Sequence, residues 1–306
     1  MYLGGRSVKI ILYTNDPARD EALMLDSELK TRGHQSRLCP TWTVDLPHGD
    51  EGLPDVDLVY IVTPVLFNGS AFELASRLVT LEAWNSKAVL INPLSCLLQS
   101  TKAHFTNVCC RLGIPHPRTL VTENLETAVN FALSLFHQGR PVVLKPVARG
   151  EGVGVRLLKS LDSETMLRYL LWYSSEYGNR VFYLQEFVEN LGYDIRLFII
   201  NGQIVARMKR SKRDDFRFNI SRGGRGEPYQ GTEYDRLARE AARAVGAKVA
   251  GVDILPTREG AVVLEVNAHP GFQGLVQATN VQIPKLLVDY IESFDNMKKA
   301  DSSPSK

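Results

Sequence analysis

Three polar residues interrupt two apolar runs towards the C-terminal end of the chain. Asp253 lies within Ala250-Gly-Val-Asp-Ile-Leu255; Glu265 and Asn267 lie within Ala261-Val-Val-Leu-Glu-Val-Asn267. Both runs are strand-like and a short break at 256–260 separates them, the pattern of a hairpin. Residues two apart on a strand share a face, so Glu265 and Asn267 point the same way, and the facing strand can bring Asp253 alongside. Two carboxylates and an amide oxygen converging on one face form a hard-oxygen site suited to Mg2+, which keeps several waters and also takes phosphate oxygens. The same residues could instead cap the edge of a hairpin.

Upstream, Pro141-Val-Val-Leu-Lys145 ends an apolar strand on a lysine, and Gly150, Gly152 and Gly154 follow within ten residues. Glycines let backbone N–H groups approach a phosphate with no Cβ in the way. No Gly-Lys-Ser/Thr comes next, so the segment reads as a hairpin flap between strands and not as a P-loop. Lys145 would reach the α- and β-phosphates, or snorkel at a sheet edge. Gln185-Glu-Phe-Val188 ends a further strand. Backbone groups there could read an adenine edge, and Glu186 or Asp194 could accept from a ribose hydroxyl or an adenine amine; a solvated sheet edge is the alternative. Arg196 sits in an otherwise apolar run on the same face as Asp194, and an inward guanidinium requires an anionic partner. From Lys209 to Gly226 the chain turns basic and glycine-rich, which reads as a long functional loop whose arginine forks suit phosphates and carboxylates. His269, beside Pro270, is either structural or a substrate contact. No serine sits in a G-x-S-x-G context, so a nucleophilic triad is not in evidence.

The elements that must hold these residues follow from periodicity. Val8 to Tyr13, Val56 to Val62 and Ala88 to Asn92 read as buried strands. Helices are expected from Asp16-Pro17 to Gly33 and from Phe72 to Trp84. Alternation of this kind predicts a parallel α/β domain over residues 1–95. Its first turn has no G-x-G-x-x-G. Ser95 to Ser100 reads as a linker and Thr101 to Leu112 as a helix carrying Lys102. Two α+β units are expected beyond, over 96–180 with the flap and over 181–295 with the hairpin that opens this section. Asn201-Gly202 predicts a type I′ turn, helices are expected over Thr232 to Val245 and from Ile283 to Phe294, and 296–306 reads as a frayed tail.

Composition narrows the function classes. A net charge of +2 and a basic cluster confined to one loop, with few aromatics interleaved (Phe216 and Phe218), argue against a nucleic-acid partner. No stretch is long enough to cross a membrane. Four cysteines without C-x-x-C spacing, and a start that lacks the pattern of a signal peptide, predict reduced thiols in the cytoplasm.

Taken together, Val142-Val-Leu-Lys-Pro146 with the glycine flap, Leu184-Gln-Glu-Phe-Val188, Gly192-Tyr-Asp-Ile-Arg196, Asp215-Phe-Arg-Phe-Asn219 with Arg222-Gly-Gly224, Ala250-Gly-Val-Asp-Ile-Leu255 and Leu264-Glu-Val-Asn267 with Pro270-Gly271 occur in order. In this the chain resembles the ATP-grasp superfamily, and within it the RimK-like amino-acid (glutamate) ligases, from about Lys102 to the last helix. The resemblance implies ATP held between two α+β subdomains. Lys102 and Lys145 would contact the nucleotide, Glu186, Phe187 and Val188 the adenine, and Asp194 the nucleotide or ribose. Arg217, Phe218 and Asn219 would line the phosphate side. Asp253, Glu265 and Asn267 would bind two Mg2+ (or Mn2+). Arg210 would stabilise the transferring phosphoryl group, with Arg196 counted beside it as catalytic. The implied reaction forms an acyl phosphate from a carboxylate and then an amide with an amine, most readily that of L-glutamate. The acceptor would be an anionic coenzyme or a protein C-terminus. Two alternatives are a ligase of the same fold acting on an amino-group carrier protein (LysX-like) and a non-catalytic nucleotide-binding module. Assembly as a homodimer or homotetramer is left open. Arg149 and His269 depart from the pattern of the S6-type members.

Overall fold

The computed structural model describes residues 7–43, 55–64, 71–147, 152–178, 180–213, 215–220 and 223–301. Three sheets follow one another. The first is parallel, in the order β2-β1-β3-β4, from β1 (Lys9–Thr14), β2 (Gln35–Pro40), β3 (Leu58–Ile61) and β4 (Val89–Ile91). Its central strands are continuous apolar runs because both faces are covered. Ile10 and Leu12 pack with Ala22, Leu25 and Leu29 of α1 (Asp20–Thr31), while Ile11 and Tyr13 pack with Leu81 and Trp84 of α2 (Ala71–Asn85).

After α3 (Leu94–Gln99) and α4 (Lys102–Leu112), the second sheet runs β5-β8-β6-β7: β5 (Thr119–Thr122), β6 (Val142–Lys145), β7 (Arg156–Leu158) and β8 (Phe182–Glu186), all antiparallel. It is backed by α5 (Leu125–Phe136) and α6 (Ser163–Tyr177) over one apolar core. Asn124 and Asp162 cap these helices, each side chain accepting the backbone N–H three residues on at 2.9 Å. Because β8 is hydrogen-bonded between β5 and β6, residues 182–186 belong to this sheet, across the 180/181 division expected above.

The third sheet is antiparallel, β11-β10-β9-β12-β13: β9 (Tyr193–Ile200), β10 (Gln203–Ser211), β11 (Arg225–Pro228), β12 (Val249–Thr257) and β13 (Gly260–Asn267). Around it lie α7 (Asp235–Ala244), α8 (Gln273–Thr279) and α9 (Ile283–Asp301). Asn201 and Gly202, both at positive φ (46° and 77°), form the tight turn expected between β9 and β10.

Four expectations are corrected. The first helix begins at Asp20, because the Asp16 carboxylate accepts from Ala18 N at 3.1 Å and closes a turn before the helix. The supposed linker after Ser95 is largely α3. The basic loop is shorter than Lys209 to Gly226, since β10 runs on to Ser211 and returns as β11; ladder bonds use the backbone and tolerate charged side chains. The tail is helical as far as Asp301. Strand β2 carried no clear apolar alternation in sequence, in keeping with its half-exposed place at the sheet edge.

The first domain shares two apolar clusters with the third sheet and its helices, and one buried polar side chain fixes the junction. Asn92, buried at the end of β4, accepts from Lys248 N at 2.7 Å and Val249 N at 2.9 Å, and donates to Val249 O at 2.7 Å and Ala268 O at 2.6 Å. All four bonds an amide can make are used on β12 and the end of β13. Arg32 of α1 adds bonds to Glu292 at 3.2 Å and to Asp289 on α9. Replacing Asn92 by Ala strands several buried backbone groups at once. The expected cost is about 3 kcal/mol, read as a lower urea midpoint at unchanged slope.

Candidate active site

The register of the third sheet builds a charged row from strand neighbours. Arg210 on β10 faces Asp194 on β9, Arg196 on β9 faces Asp253 on β12, and Asp253 faces Glu265 on β13. Side-chain geometry follows the register. Arg210 donates from Nε and Nη2 to both oxygens of Asp194 at 2.7 and 2.6 Å, and its Nη2 also stands 2.9 Å from Asp253 Oδ2. Arg196 grips Asp253 in the same two-pronged way, both bonds at 2.7 Å. The Asp194, Asp253 and Arg210 side chains are at most 5% exposed, whereas Glu265 is 38% exposed and faces the cleft. Burial favours the protonated acid at Asp253, but the two guanidinium groups outweigh it and hold the carboxyl well below the usual range.

The same face of β9 and β10 changes character along its length. Phe198, Ile200, Ala206 and Met208 join α8 and α9 in an apolar core, and one step further the positions become Arg196, Asp194 and Arg210. The opposite face, Ile195, Leu197 and Ile199, stays apolar under α7.

Across the cleft, the second sheet supplies Lys145. Its Nζ donates to Gln185 Oε1 at 2.5 Å, and Gln185 Nε2 donates to Thr119 Oγ1 at 2.9 Å, so the lysine is aimed by its neighbour on β8. Burial pulls the Lys145 ammonium down to about 8, with Glu265 opposing and Lys102 adding to the fall. Lys102, at the first turn of α4, is also lowered by burial against the pull of Glu265.

Two cavities meet over these residues. One, about 140 Å3, is lined by Gln185, Glu186, Phe187, Val188, Asp194, Gly152, Arg217 and Phe218. The other, about 270 Å3, is lined by Asn267, His269, Arg196, Arg19, Glu21 and Gln273. Lys102, Lys145, Arg210, Asn219 and Glu265 line both. Every described residue expected for ATP or metal therefore borders one joined cleft, except Gly154. Gly150 and Arg149, with Arg222, lie outside the described residues. Gly154 is instead a fixed corner of the flap: it sits at φ +72°, Tyr173 Oη donates to its carbonyl at 3.1 Å, and a Cβ would meet Pro146 at 2.6 Å.

Several expected roles change in detail. The Glu186 carboxylate turns to Arg140 at 2.7 Å, and its backbone N–H is bonded to Arg118 O. Arg217 is held by Asp215, which accepts from its Nε and Nη2 at 3.0 and 2.9 Å. Several charges in and beside the basic segment are paired: Arg207 with Asp235, Lys209 with Glu227, and Lys212 with Asp215. A polyanion-binding loop is thus not what these charges make. His269 is pushed down to about 4 by burial, and its Nε2 has no partner.

Residues that reasoning from sequence missed are Arg19, Glu21 and Gln273, together with Thr119, which holds Gln185; Asp215, quoted only as part of a motif, turns out to orient Arg217. Arg19 and Glu21 follow the carboxyl end of the first strand, the edge where open α/β sheets bind ligands, and that rule was the available signal.

The donor set suits a hard divalent cation. Glu265 is open to the cleft; Asn267 Nδ2 contacts Glu265 Oε1 at 3.0 Å, and the same amide turned over offers Oδ1 to that space. Asp253 would share an oxygen with its arginines. Among the described residues no cluster of three His, Cys, Asp or Glu forms a closed metal cage, as expected where phosphate and water complete the coordination.

Comparison with known proteins agrees with this geometry. Residues 99–291 match the RimK-like ATP-grasp domain family. The chain is 34% identical over 225 residues to the tetrahydromethanopterin:alpha-L-glutamate ligase of Methanocaldococcus jannaschii, covering 71% of this chain and 75% of that protein. Among solved structures, the ATP-grasp ligase PsnB complexed with a phosphomimetic variant of its minimal precursor, Mg and ADP superposes with a TM-score of 0.71 at 21% identity, over 94% of this chain and 100% of that one. The RimK domain ATP-grasp protein of Sphaerobacter thermophilus gives 0.72 at 19% identity, over 92% and 98%. With the family domain spanning more than half of its residues and the fold common to both structures, the chain belongs to the RimK-like ATP-grasp family of ligases.

Proposed function

We propose that the chain activates a carboxylate with ATP as an acyl phosphate and joins it to the amine of an amino acid, L-glutamate. The reading is supported by the meeting of two cavities over Lys102, Lys145, Arg210, Asn219 and Glu265. A nucleotide in the smaller one would turn its phosphates towards the larger, where a second substrate has room. The relative above is named as a tetrahydromethanopterin:alpha-L-glutamate ligase, which favours a small-molecule acceptor here over a protein C-terminus.

The chemistry needs positioning and charge neutralisation more than a protein nucleophile. Backbone groups of Glu186 to Val188 would take the adenine. Lys145, steered by Gln185, and Lys102 would sit on the phosphates, with Arg217 and Asn219 closing the other side. A substrate carboxylate oxygen attacks the γ-phosphorus, the bond to the β–γ bridging oxygen breaks, and ADP leaves. Arg210, with Nε and Nη2 held by carboxylates, has Nη1 left for the transferring phosphoryl oxygens. The amine then attacks the acyl carbon, loses a proton, and phosphate departs. Glu265, Asn267 and Asp253 would hold the Mg2+ that the family uses, two ions in this reading, and the metal supplies neutralisation of phosphate charge. A glycine flap closing over the nucleotide, as the family resemblance implies, would exclude water from the activated acyl group.

The experiment is mass spectrometry of products from ATP, glutamate and a panel of coenzyme and peptide acceptors. A mass gain of one glutamyl unit, with matching ADP release, is expected. Nucleotide binding without turnover on every acceptor would favour the non-catalytic module. Two substitutions separate chemistry from scaffold. Glu265→Ala should lower turnover roughly 10³-fold and lower the thermal midpoint less than Asp253→Asn does, because the side chain is partly exposed and grips no guanidinium, although it faces the buried Lys102 and Lys145. Asp253→Asn should lose turnover and also about 3–5 kcal/mol of stability, since it leaves two buried guanidinium groups short of countercharge. A well-folded Asp253→Asn protein of wild-type stability would overturn the account of the row.

The pH dependence has a definite sign. Lys145 in the free protein faces Glu265, Lys102, Tyr183, Gln185 and His116, and its proton is held only up to about 8. Above that the site loses a cation, so ADP affinity measured by calorimetry should weaken from pH 7 to 9. Lys145→Arg, which stays charged, should remove most of that slope.

A further inference from the structure

The start of α1 reaches across to the segment that follows β13. Glu21 there is only 6% exposed, which is rare for a carboxylate. Its Oε1 accepts from Phe272 N at 3.1 Å and Gln273 N at 3.3 Å, and its Oε2 accepts from Arg19 Nε at 2.9 Å. Asp20 beside it accepts from the Gln273 side-chain amide. Both oxygens of Glu21 are therefore engaged inside the protein, and Arg19 supplies its countercharge.

The segment gripped in this way is a wall of one cavity only. Ala268, His269, Gly271, Gln273 and Gly274 line the larger cavity, and none of them lines the smaller one, which has Glu186, Phe187 and Val188. Close to β13 the wall is held without Glu21. Asn92 donates to Ala268 O at 2.6 Å, and Pro270 lies so near Gly251 that a Cβ on that glycine would stand 3.0 Å from Pro270 Cβ. Where the wall turns into α8, its backbone amides are bonded by Glu21. The fit is close: a Cβ on Gly271 would stand 3.0 Å from Glu21 Oε1 and 3.1 Å from Arg19 Nη2.

We propose that Glu21 is a positioning residue of the ligase site, fixing the wall over 268–274 against which the substrates other than the nucleotide are placed. This rests on the ligase reading above. Desolvating a carboxylate is costly, and here three directed hydrogen bonds offset the cost. Two of the three end on the backbone of the wall, so what the burial secures is the position of that backbone. Group transfer loses rate when the groups that place a substrate shift by about 1 Å. Loosening this contact is therefore felt in substrate placement while the nucleotide, in the other cavity, is held as before.

The test compares the full wild-type chain with Glu21→Gln, Glu21→Asp and Gly271→Ala in the presence of Mg2+. Glu21→Gln keeps the reach of the side chain and an oxygen for the two amides. Glu21→Asp keeps the charge but falls one carbon short, and Gly271→Ala leaves Glu21 in place and crowds it. Hydrogen exchange at the Phe272 and Gln273 amides should stay slow in the wild type and Glu21→Gln and quicken about tenfold in Glu21→Asp. ADP affinity by calorimetry should be the same in all four proteins. With the acceptor that yields product in the panel above, the KM for glutamate or for that acceptor should rise about tenfold in Glu21→Asp and by less in Gly271→Ala, with the KM for ATP unchanged and Glu21→Gln near wild type. A merely structural role would lower the folded fraction and leave every KM as it was. Equal KM values in all four proteins, rescue by Asp and not by Gln, or slow exchange at both amides in Glu21→Asp overturns the assignment of Glu21. Absent ADP release on every acceptor overturns the ligase reading and the substrate role with it, whereas the exchange result still decides whether Glu21 holds the wall.

Discussion

The site depends on a buried row of alternating charges, Arg210 with Asp194 and Asp253, and Asp253 with Arg196. Bringing four charges out of water costs several kcal/mol each, and their attraction offsets that only where the geometry is close to ideal. Here it is: two guanidinium forks face two carboxylates, with a bridging contact at 2.9 Å between them. Such a row adds little stability that apolar packing could not supply. What it provides is a carboxylate at Asp253 that stays ionised and fixed beside Glu265, and a buried, oriented guanidinium at Arg210. Preorganised charge of this kind would serve the proposed phosphoryl transfer.

The rest of the fold is arranged around keeping that row rigid on one side and accessible on the other. The under-face of β9 and β12 is apolar and covered by α7. The second sheet brings Lys145 over the cleft through a short hairpin, with Gln185 and Thr119 fixing its direction. Tyr173 and the tight corner at Gly154 anchor the base of the flap to α6. The first domain contributes the third wall. Asn92 and Glu21 both bond backbone groups around the end of β13, so the segment that carries Asn267 and His269 is gripped from two directions.

Much of the site was legible in the sequence because strand periodicity is strict. Asp194 and Arg196, or Glu265 and Asn267, must share a face once the runs are strands, and an isolated charge in such a run has few structural uses. The lysine at the end of β6 was legible for the same local reason, and the strands on either side of the glycine turn pair as a hairpin. The less legible parts are those whose cause lies elsewhere in the chain. Asp16 looked like a helix cap, but its carboxylate closes a turn with Ala18. The basic run from Lys209 read as a functional loop suited to phosphates and carboxylates, yet Lys209 pairs with Glu227 and Lys212 with Asp215, as Arg207 just before it does with Asp235.

The sequence by itself therefore determined the class of elements and the candidate polar residues, which follow from spacing along one strand or turn, and its ordered motifs carried the resemblance to the family. Only the tertiary structure decided which of those residues meet. Strand order puts β9 between β10 and β12, which pairs Arg210 with Asp194 and Arg196 with Asp253 across 16 and 57 residues. It also carries Arg19, from the start of the first helix, to the rim of the same cavity as Asn267. Backbone pairing between distant strands and burial of charge against charge are relations between separate segments, and no local pattern encodes them.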